Sequence, residues 1–233
     1  MKQRRLLAAA VVAALGLGMS AAHADLLYNY STNGGSSWNT WVDLGTSNTQ
    51  GTVSTASIGN FTVTAVLTGA STLAAPAVYD SANISVSSNA GGSVVLAFAE
   101  TGLAGTSSSQ AMLGSFTGTT GAGLTGNDAF YLVSNYSSSS NPGLPGSGTQ
   151  LGSQSFGSTS HSTSWSNTFN TFVSGISNPY ALVETVSLDA TGAGQHLSSD
   201  NTVEVPEPAT LGLMGFALIG AGLARRQRKN KTV

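Results

Sequence analysis

Short runs of alternating apolar and polar residues dominate the central part of the chain, with little spacing of the helical kind. In residues 61–67 every second residue is apolar, and comparable runs occur at 93–99 and 180–188. A period of two places the apolar side chains on one face of a β-strand. Strands of this kind, recurring at a spacing of roughly 8 to 12 residues, predict an all-β domain with a β-sandwich or jelly-roll-like fold.

Turn residues separate these runs and suggest how neighbouring strands connect. The sequence Asn89-Ala90-Gly91-Gly92 predicts a hairpin between the strand candidates 83–86 and 93–99. The glycine-rich segment 118–128 predicts a loop between two further candidates. A β-solenoid is the alternative architecture, but the chain has no fixed repeat period of the kind that a solenoid needs.

Two acidic residues lie where the alternation would place apolar ones. Glu184 falls on the apolar face of the strand predicted over 180–188. It is expected either at the rim of the sheet or at a bulge, because burial of a carboxylate is costly. Glu100 follows the run 93–99 and is expected at a solvent-exposed strand end.

The N-terminal segment has the three parts of a secretory signal peptide. A positively charged start that ends at Arg5 is followed by the apolar run 6–19 and by Ala22-His23-Ala24, an A-x-A cleavage sequence. We therefore expect a signal helix in residues 1–24, recognised by the secretion translocon and removed by signal peptidase. Cleavage between Ala24 and Asp25 leaves a mature chain that begins at Asp25.

The C-terminal segment also has three parts. Val205-Pro206-Glu207-Pro208 precedes the uncharged apolar run 209–224, and a basic tail over 225–231 follows it. The apolar run predicts a transmembrane helix, with the basic tail kept in the cytoplasm. At ~1.5 Å per residue, sixteen residues span about 24 Å of a ~30 Å hydrocarbon core, which is a marginal permanent anchor. Residues 198–204 are expected to form a tether between the domain, 25–197, and this signal.

In order and spacing, these parts resemble the PEP-CTERM sorting signal of Gram-negative bacteria. The resemblance covers only residues 205–231. It implies an inner-membrane-anchored precursor whose partner is exosortase, an integral-membrane cysteine transpeptidase, and which then becomes a cell-surface or extracellular protein. The implied recognition element is Val205, Pro206, Glu207 and Pro208, and the implied cytoplasmic stop is Arg225, Arg226 and Arg228. The resemblance further implies that the protein is a substrate of sorting and is associated with exopolysaccharide and biofilm in the extracellular matrix.

The charge distribution narrows the range of partners. The chain has eight Lys and Arg residues and ten Asp and Glu residues, and every basic one lies before Asp25 or after Ala224. A domain without Lys or Arg has no cations with which to neutralise phosphates, so nucleic acid is excluded as a partner. The chain also lacks cysteine, which removes disulfides, thiolate metal sites and cysteine nucleophiles.

No motif in the sequence predicts catalysis or a bound cofactor. The segment 121–126 matches G-x-G-x-x-G but lacks the strand–helix context of a nucleotide site. The two histidines of the mature chain, His161 and His196, are not spaced as metal ligands. No catalytic or metal-binding residue is therefore assigned. A structural calcium site remains the minority alternative, on the acidic and amide residues Asp128, Asp189, Asp200 and Asn201.

Three functional readings remain for the domain. The first is an exported surface or matrix protein. The second is a carbohydrate-binding or adhesive module, in which Trp38, Trp41 and Trp165 are the candidates for stacking on sugars. The third is an extracellular hydrolase, for which the sequence offers no positive signal. The first reading is favoured, with the protein not an enzyme.

Overall fold

The computed structural model describes residues 25–46, 50–69, 77–80, 83–103, 109–134, 142–177 and 179–205. The expected signal peptide with its cleavage residues Ala22 and Ala24, the motif residues 206–208, the expected transmembrane helix and the basic tail lie outside these residues. Asp25 is described and is the first residue of the first strand. No helix in the described part of the chain is long and apolar enough to cross a membrane.

Every regular element among the described residues is a β-strand. In chain order the strands are β1 (Asp25–Ser31), β2 (Val42–Thr46), β3 (Gln50–Ile58), β4 (Phe61–Gly69), β5 (Ala77–Asp80), β6 (Ile84–Ser88), β7 (Gly92–Leu103), β8 (Ser109–Thr120), β9 (Leu124–Ser134), β10 (Thr149–Ser158), β11 (Thr163–Ser174), β12 (Tyr180–Ala190) and β13 (His196–Val205).

The strands form two antiparallel sheets that pack face to face. Sheet A has the order β10-β9-β12-β7-β1-β2, and sheet B has the order β11-β8-β13-β5-β4-β3. In sheet B, β6 also pairs with both β13 and β4. The prediction of an all-β sandwich is confirmed. Each sheet has an apolar face that must be buried, and the two sheets bury these faces against each other.

One large core lies between the sheets. The alternating runs of the sequence supply it: Phe61 and its same-face neighbours in β4, Leu96 in β7, and Val186 in β12 are buried in this core. A smaller apolar cluster lies on the opposite face of sheet A, where Leu27 and Val183 are also buried. Sheet A is therefore covered on both faces, which explains the nearly continuous burial of β7 and β12.

Two predicted connections are wrong. Strands β6 and β7 do not form a hairpin, because β6 belongs to sheet B and β7 to sheet A. Most of the segment 118–128 is strand rather than loop, since β8 continues to Thr120 and β9 begins at Leu124. In both places a short turn carries the chain from one sheet to the other. Glycine and asparagine favour a tight turn whether the two strands pair in one sheet or belong to different sheets. The turn residues therefore do not distinguish a hairpin from a connection between sheets.

The stretch expected to be a tether is a strand. Residues 198–204 lie within β13, which pairs with β8 on one side and with β5 and β6 on the other. The sequence looks like a linker because two inward-facing positions are polar, Ser199 and Asn201, and both are buried. The sandwich therefore continues to Val205, and no tether lies between it and the sorting motif.

Candidate functional site: a tryptophan-lined surface pocket

Two of the three tryptophans named as stacking candidates line the same surface pocket. The pocket has a volume of about 420 Å³ and lies over the outer face of sheet A. Its walls are Asn29, Trp38, Asn39, Thr40, Trp41, Gly143, Leu144 and Pro145. Trp38 and Trp41 are each half-buried, and Leu144 is 67% exposed, so aromatic and aliphatic surface is available to a ligand.

Two loops build this pocket, and a tryptophan joins them. Residues 32–41 connect β1 to β2, and residues 142–148 precede β10. The Trp41 indole Nε1–H donates a hydrogen bond to the Gly143 carbonyl at 3.0 Å, across 102 positions of sequence. The Trp41 ring also packs against the outer apolar cluster of sheet A. A rigid sheet thus supports the ring, which is the arrangement that favours precise presentation of a binding residue.

Paired asparagines hold the first loop against the sheet. The Asn29 side-chain amide donates to the Asn39 carbonyl at 2.9 Å, and the Asn39 amide donates to the Tyr30 carbonyl at 3.1 Å. Asn29 is only 2% exposed, so this bond forms in a poorly hydrated place, where an amide without a partner would be costly. These contacts fix the path of the chain between β1 and the two tryptophans.

Trp165 lies elsewhere and has a structural role. It stacks on Phe156 with ring centroids 4.8 Å apart and an interplanar angle of 13°, and it packs against the core between the sheets. A Cβ added to Gly118 would lie 2.4 Å from the Trp165 ring, so only glycine leaves room for this indole. Of the three tryptophans, Trp38 and Trp41 are therefore brought together and Trp165 is not.

A cluster of two acidic residues and one asparagine lies inside the sandwich. Asp128, Glu184 and Asn201 are all fully buried. The Asn201 side-chain amide, from sheet B, donates to Asp128 Oδ2 at 2.6 Å and to Glu184 Oε1 at 2.7 Å, both from sheet A. The Asn201 carbonyl oxygen accepts from the Thr117 amide at 3.2 Å. One amide therefore bridges the two sheets through two carboxyl groups.

Burial favours the protonated form of the Asp128 carboxyl group. Burial, followed by the neighbouring Glu184 carboxyl, raises the pKa of Asp128 well above its usual range. No Lys or Arg occurs between Asp25 and Ala224 to offset the charge. Repulsion between two adjacent carboxylates at a buried site favours a proton on one of them, which agrees with the raised pKa of Asp128.

The expectations for Glu184 and Glu100 are both wrong. Glu184 is neither at a rim nor at the bulge, which lies between Tyr180 and Leu182; its hydrogen bond to Asn201 is what makes the buried position tolerable. Glu100 is 1% exposed and approaches Gly69 of sheet B, where an added Cβ would lie 2.4 Å from Oε1. Burial raises the pKa of Glu100 well above its usual range.

The remaining candidates do not assemble into a reactive site. His161 is exposed, and its Nδ1 lies 3.1 Å from Ser160 Oγ and 3.2 Å from Ser158 Oγ. His196 is exposed at the start of β13. Asp189 accepts a hydrogen bond from Ser93, and Asp200 is exposed on β13. Within the described ranges, no group of three or more acidic, histidine or cysteine residues is placed to hold a metal ion.

Sequence reasoning missed the other half of the tryptophan pocket. The segment 137–148 reads as a proline-containing loop, and nothing in its composition indicates that Leu144 and Pro145 reach the outer face of sheet A. Trp41 and Gly143 are too far apart in sequence for any local pattern to connect them. The only available signal was the combination of tryptophan with asparagine at 38–41, a composition typical of surfaces that bind polar ligands.

Comparison with known families identifies the C-terminal signal. The family model of the PEP-CTERM protein-sorting motif matches residues 204–229. The chain therefore carries a PEP-CTERM sorting motif, which marks an exported protein that is processed at the membrane by an exosortase-type protein. The match begins at Glu204, one residue before the end of β13.

Comparison with solved structures finds distant likenesses among β-sandwich domains. TmCBM61 in complex with β-1,4-galactotriose has 16% identity, with 54% of this chain and 70% of that chain covered and a TM-score of 0.29. A CBM22-1 xylan-binding domain from Paenibacillus barcinonensis has 6% identity, coverage of 69% and 87%, and a TM-score of 0.31. A cleaved adhesin domain of Lys-gingipain from Porphyromonas gingivalis has 11% identity, coverage of 68% and 90%, and a TM-score of 0.27. Likenesses this distant identify no ligand.

Comparison with curated proteins finds no match to the sequence.

Proposed function

We propose that this protein is an exported β-sandwich that binds polysaccharide at the cell surface or in the extracellular matrix, through the pocket formed by Trp38 and Trp41. The observation that carries the proposal is the pocket itself. Two indoles lie beside amide and hydroxyl groups on a rigid sheet, in a cavity open to solvent. Pyranose rings present an apolar face and a polar rim, and this combination of aromatic and hydrogen-bonding groups complements both.

The buried acids argue against the hydrolase alternative. Glycoside hydrolysis with two carboxyl groups requires both to contact the sugar and one to reach water. Asp128 and Glu184 are adjacent, but both are fully enclosed between the sheets and are hydrogen-bonded to Asn201. Among the described residues that line the tryptophan pocket, none is acidic. We therefore infer a binding role for the domain, with the acid pair serving the fold.

Substitution of the tryptophans tests the binding site. Trp38→Ala is expected to weaken binding to the protein's polysaccharide on the order of tenfold or more, because it removes a large aromatic surface from the pocket. Trp41→Phe is the conservative companion, since it keeps packing on sheet A but loses the hydrogen bond to Gly143. Affinity electrophoresis and calorimetry on neutral polysaccharides measure the effect.

The control for this experiment is Trp165→Phe, which changes the core indole and leaves the pocket intact. Thermal unfolding of each variant separates loss of binding from loss of fold. Full binding by a folded Trp38→Ala, Trp41→Phe double variant would mean that the pocket is not the site.

The sorting proposal has its own test. If an exosortase removes the C-terminal signal, the intact mass of the cell-surface or secreted form should correspond to a chain that begins at Asp25 and ends between Val205 and Ala209. Deletion of residues 225–231 removes the expected cytoplasmic stop and is the matched variant, for which the precursor should no longer be processed. Recovery of a surface form that still ends at Val233 would rule out removal of the signal.

A further inference from the structure

The outer face of sheet B carries a regular array of small polar side chains. The outward residues of β11, β8 and β13 lie side by side in cross-strand rows. From one end of the sheet the rows are Ser164, Thr119 and Ser198; then Ser166, Thr117 and Asp200; then Thr168, Ser115 and Thr202; and then Asn170, Leu113 and Glu204. Neighbouring strands are about 4.8 Å apart, and rows follow each other at about 6.8 Å. This regularity places hydroxyl and amide groups at fixed positions over three strands.

The last two rows border a groove in this face. The groove has a volume of about 540 Å³, and it is lined by Leu113, Gly114, Ser115, Thr168, Phe169, Asn170, Thr202 and Glu204. Ser115 and Thr202 form a hydroxyl–hydroxyl hydrogen bond of 2.9 Å across the groove floor. An added Cβ at Gly114 would lie 2.2 Å from Phe169, so glycine allows the Phe169 ring to pack tightly under this part of the sheet.

An exposed aromatic side chain extends the groove along β11. Phe172 follows Asn170 on the same face and is 71% exposed, although it lies in a regular strand. Its cross-strand neighbour is Ala111, which is too small to cover the ring. An aromatic ring beside a hydroxyl-lined groove supplies a stacking surface next to a row of hydrogen-bonding groups.

The chemistry of this face favours an uncharged glycan as its occupant. The face has no Lys or Arg, so it offers no ion pair to an anionic polysaccharide, a nucleic acid or an anionic lipid. Among the described residues, the large apolar side chains at the groove and its extension are Leu113, the partly buried Phe169 and Phe172. The centre of a protein–protein interface is more apolar and richer in large side chains. The remaining groups are hydroxyls, an amide and the Glu204 carboxylate, all of which can hydrogen-bond to sugar hydroxyls.

From this geometry we propose that the outer face of sheet B, at Asn170 and Phe172, is a second glycan-binding site. The tryptophan pocket lies over the outer face of sheet A, so the two sites point away from each other across the sandwich. One domain then bridges two neutral polysaccharide chains. Bridging rests on the proposed function of the tryptophan pocket; the second site stands on the groove alone. A protein that binds two polysaccharide chains at once is held in a matrix more strongly than one that binds a single chain, although each contact is unchanged.

The test compares binding with bridging. Calorimetry with galactan, xylan and mannan measures the number and affinity of sites on the mature protein, and alginate serves as the anionic probe. Clumping of beads coated with the bound polysaccharide reports bridging, with size-exclusion chromatography to establish that the protein is a monomer. The variants are Asn170→Ala/Phe172→Ala for the sheet B site and Trp38→Ala/Trp41→Phe for the pocket. Ser164→Ala, on the same strand and face but away from the groove, is the matched control.

The wild-type monomer and Ser164→Ala are expected to bind a neutral polysaccharide at two sites and to clump beads. Asn170→Ala/Phe172→Ala should lose one site and the clumping, with the remaining affinity changed less than about twofold. Unchanged stoichiometry and clumping in this variant would overturn the second site while leaving the pocket intact. If Trp38→Ala/Trp41→Phe binds as well as the wild type while Asn170→Ala/Phe172→Ala loses binding, the pocket proposal fails. The sheet B site is then the one binding site, and the domain does not bridge two chains. Preference for alginate, or absence of binding to all probes, would overturn a neutral-glycan site on this face.

Discussion

A chain that ends at Leu197 is expected not to fold, whereas a chain that ends at Val205 is expected to fold as well as the mature protein. The residues between these two ends are most of β13, which lies in the middle of sheet B. Their removal deprives β8 of seven of the eight β13 residues with which it pairs. It also removes Asn201, the amide that bridges Asp128 and Glu184.

The expected effect exceeds the stability of an ordinary domain. Removal of a partner from a buried carboxyl costs several kcal/mol, and an exposed central strand adds the loss of its backbone ladder and of buried Val203. Since domains are stable by about 5–15 kcal/mol, this loss is enough to unfold the sandwich. Circular dichroism and the dispersion of amide resonances measure the result on chains 25–197 and 25–205. Cooperative unfolding of the shorter chain would contradict the assignment of β13 as an integral strand.

Stability is expected to decrease as the pH rises above the acidic range. Burial raises the pKa of Asp128 and of Glu100 above their values in the unfolded chain. The native state therefore retains protons that the unfolded state releases. The contribution of each group is complete below its unfolded pKa of about 4, and it is lost as the pH rises from there towards the folded pKa. Each group accounts for roughly 1 kcal/mol per pH unit over its window.

Neutral replacements should remove this pH dependence. Asp128→Asn keeps the shape of the side chain but does not titrate, so the free energy of unfolding should decline less between pH 5 and pH 9 than in the wild type. Glu100→Gln should act in the same direction at its separate site. Asp200→Asn is the control, because Asp200 is exposed on the outer face of sheet B. Urea unfolding across the pH range measures the effect. A wild-type stability that stays constant from pH 5 to pH 9 would mean that the buried acids are already ionised in the native state.

The junction between β13 and the sorting motif has a consequence for processing. The family match begins at Glu204, and β13 ends at Val205. An exosortase acting on this chain would therefore work immediately beside a folded sheet. A scissile bond after Val205 would leave β13 complete, so we expect the processed product to remain folded.

The sequence alone was sufficient for features that depend on local pattern. Alternation at 61–67 and 180–188 predicted strands with the correct buried faces, because a period of two assigns side chains to faces regardless of the partner strand. The Pro-Glu-Pro motif, apolar run and basic tail identified the sorting signal, because that signal is read as linear sequence. The positions of the Lys and Arg residues also predict, without knowledge of the fold, that nucleic acid is not a partner.

Only the tertiary structure decided the features that depend on contacts between distant strands. Glu184 and Asn201 are polar residues in buried strands, and they are tolerated because the Asn201 amide of sheet B donates hydrogen bonds to Glu184 and Asp128 of sheet A. Asn201 belongs to the stretch that looks like a linker in the sequence, and in the structure this stretch is the central strand β13. Trp41 and Gly143 are in contact over the outer face of sheet A, and the residues around neither of them in the sequence predict this contact. A local sequence pattern contains no information on which remote strands pair with each other. The order of the strands, the buried acid pair and both candidate glycan surfaces are therefore visible only in the folded molecule.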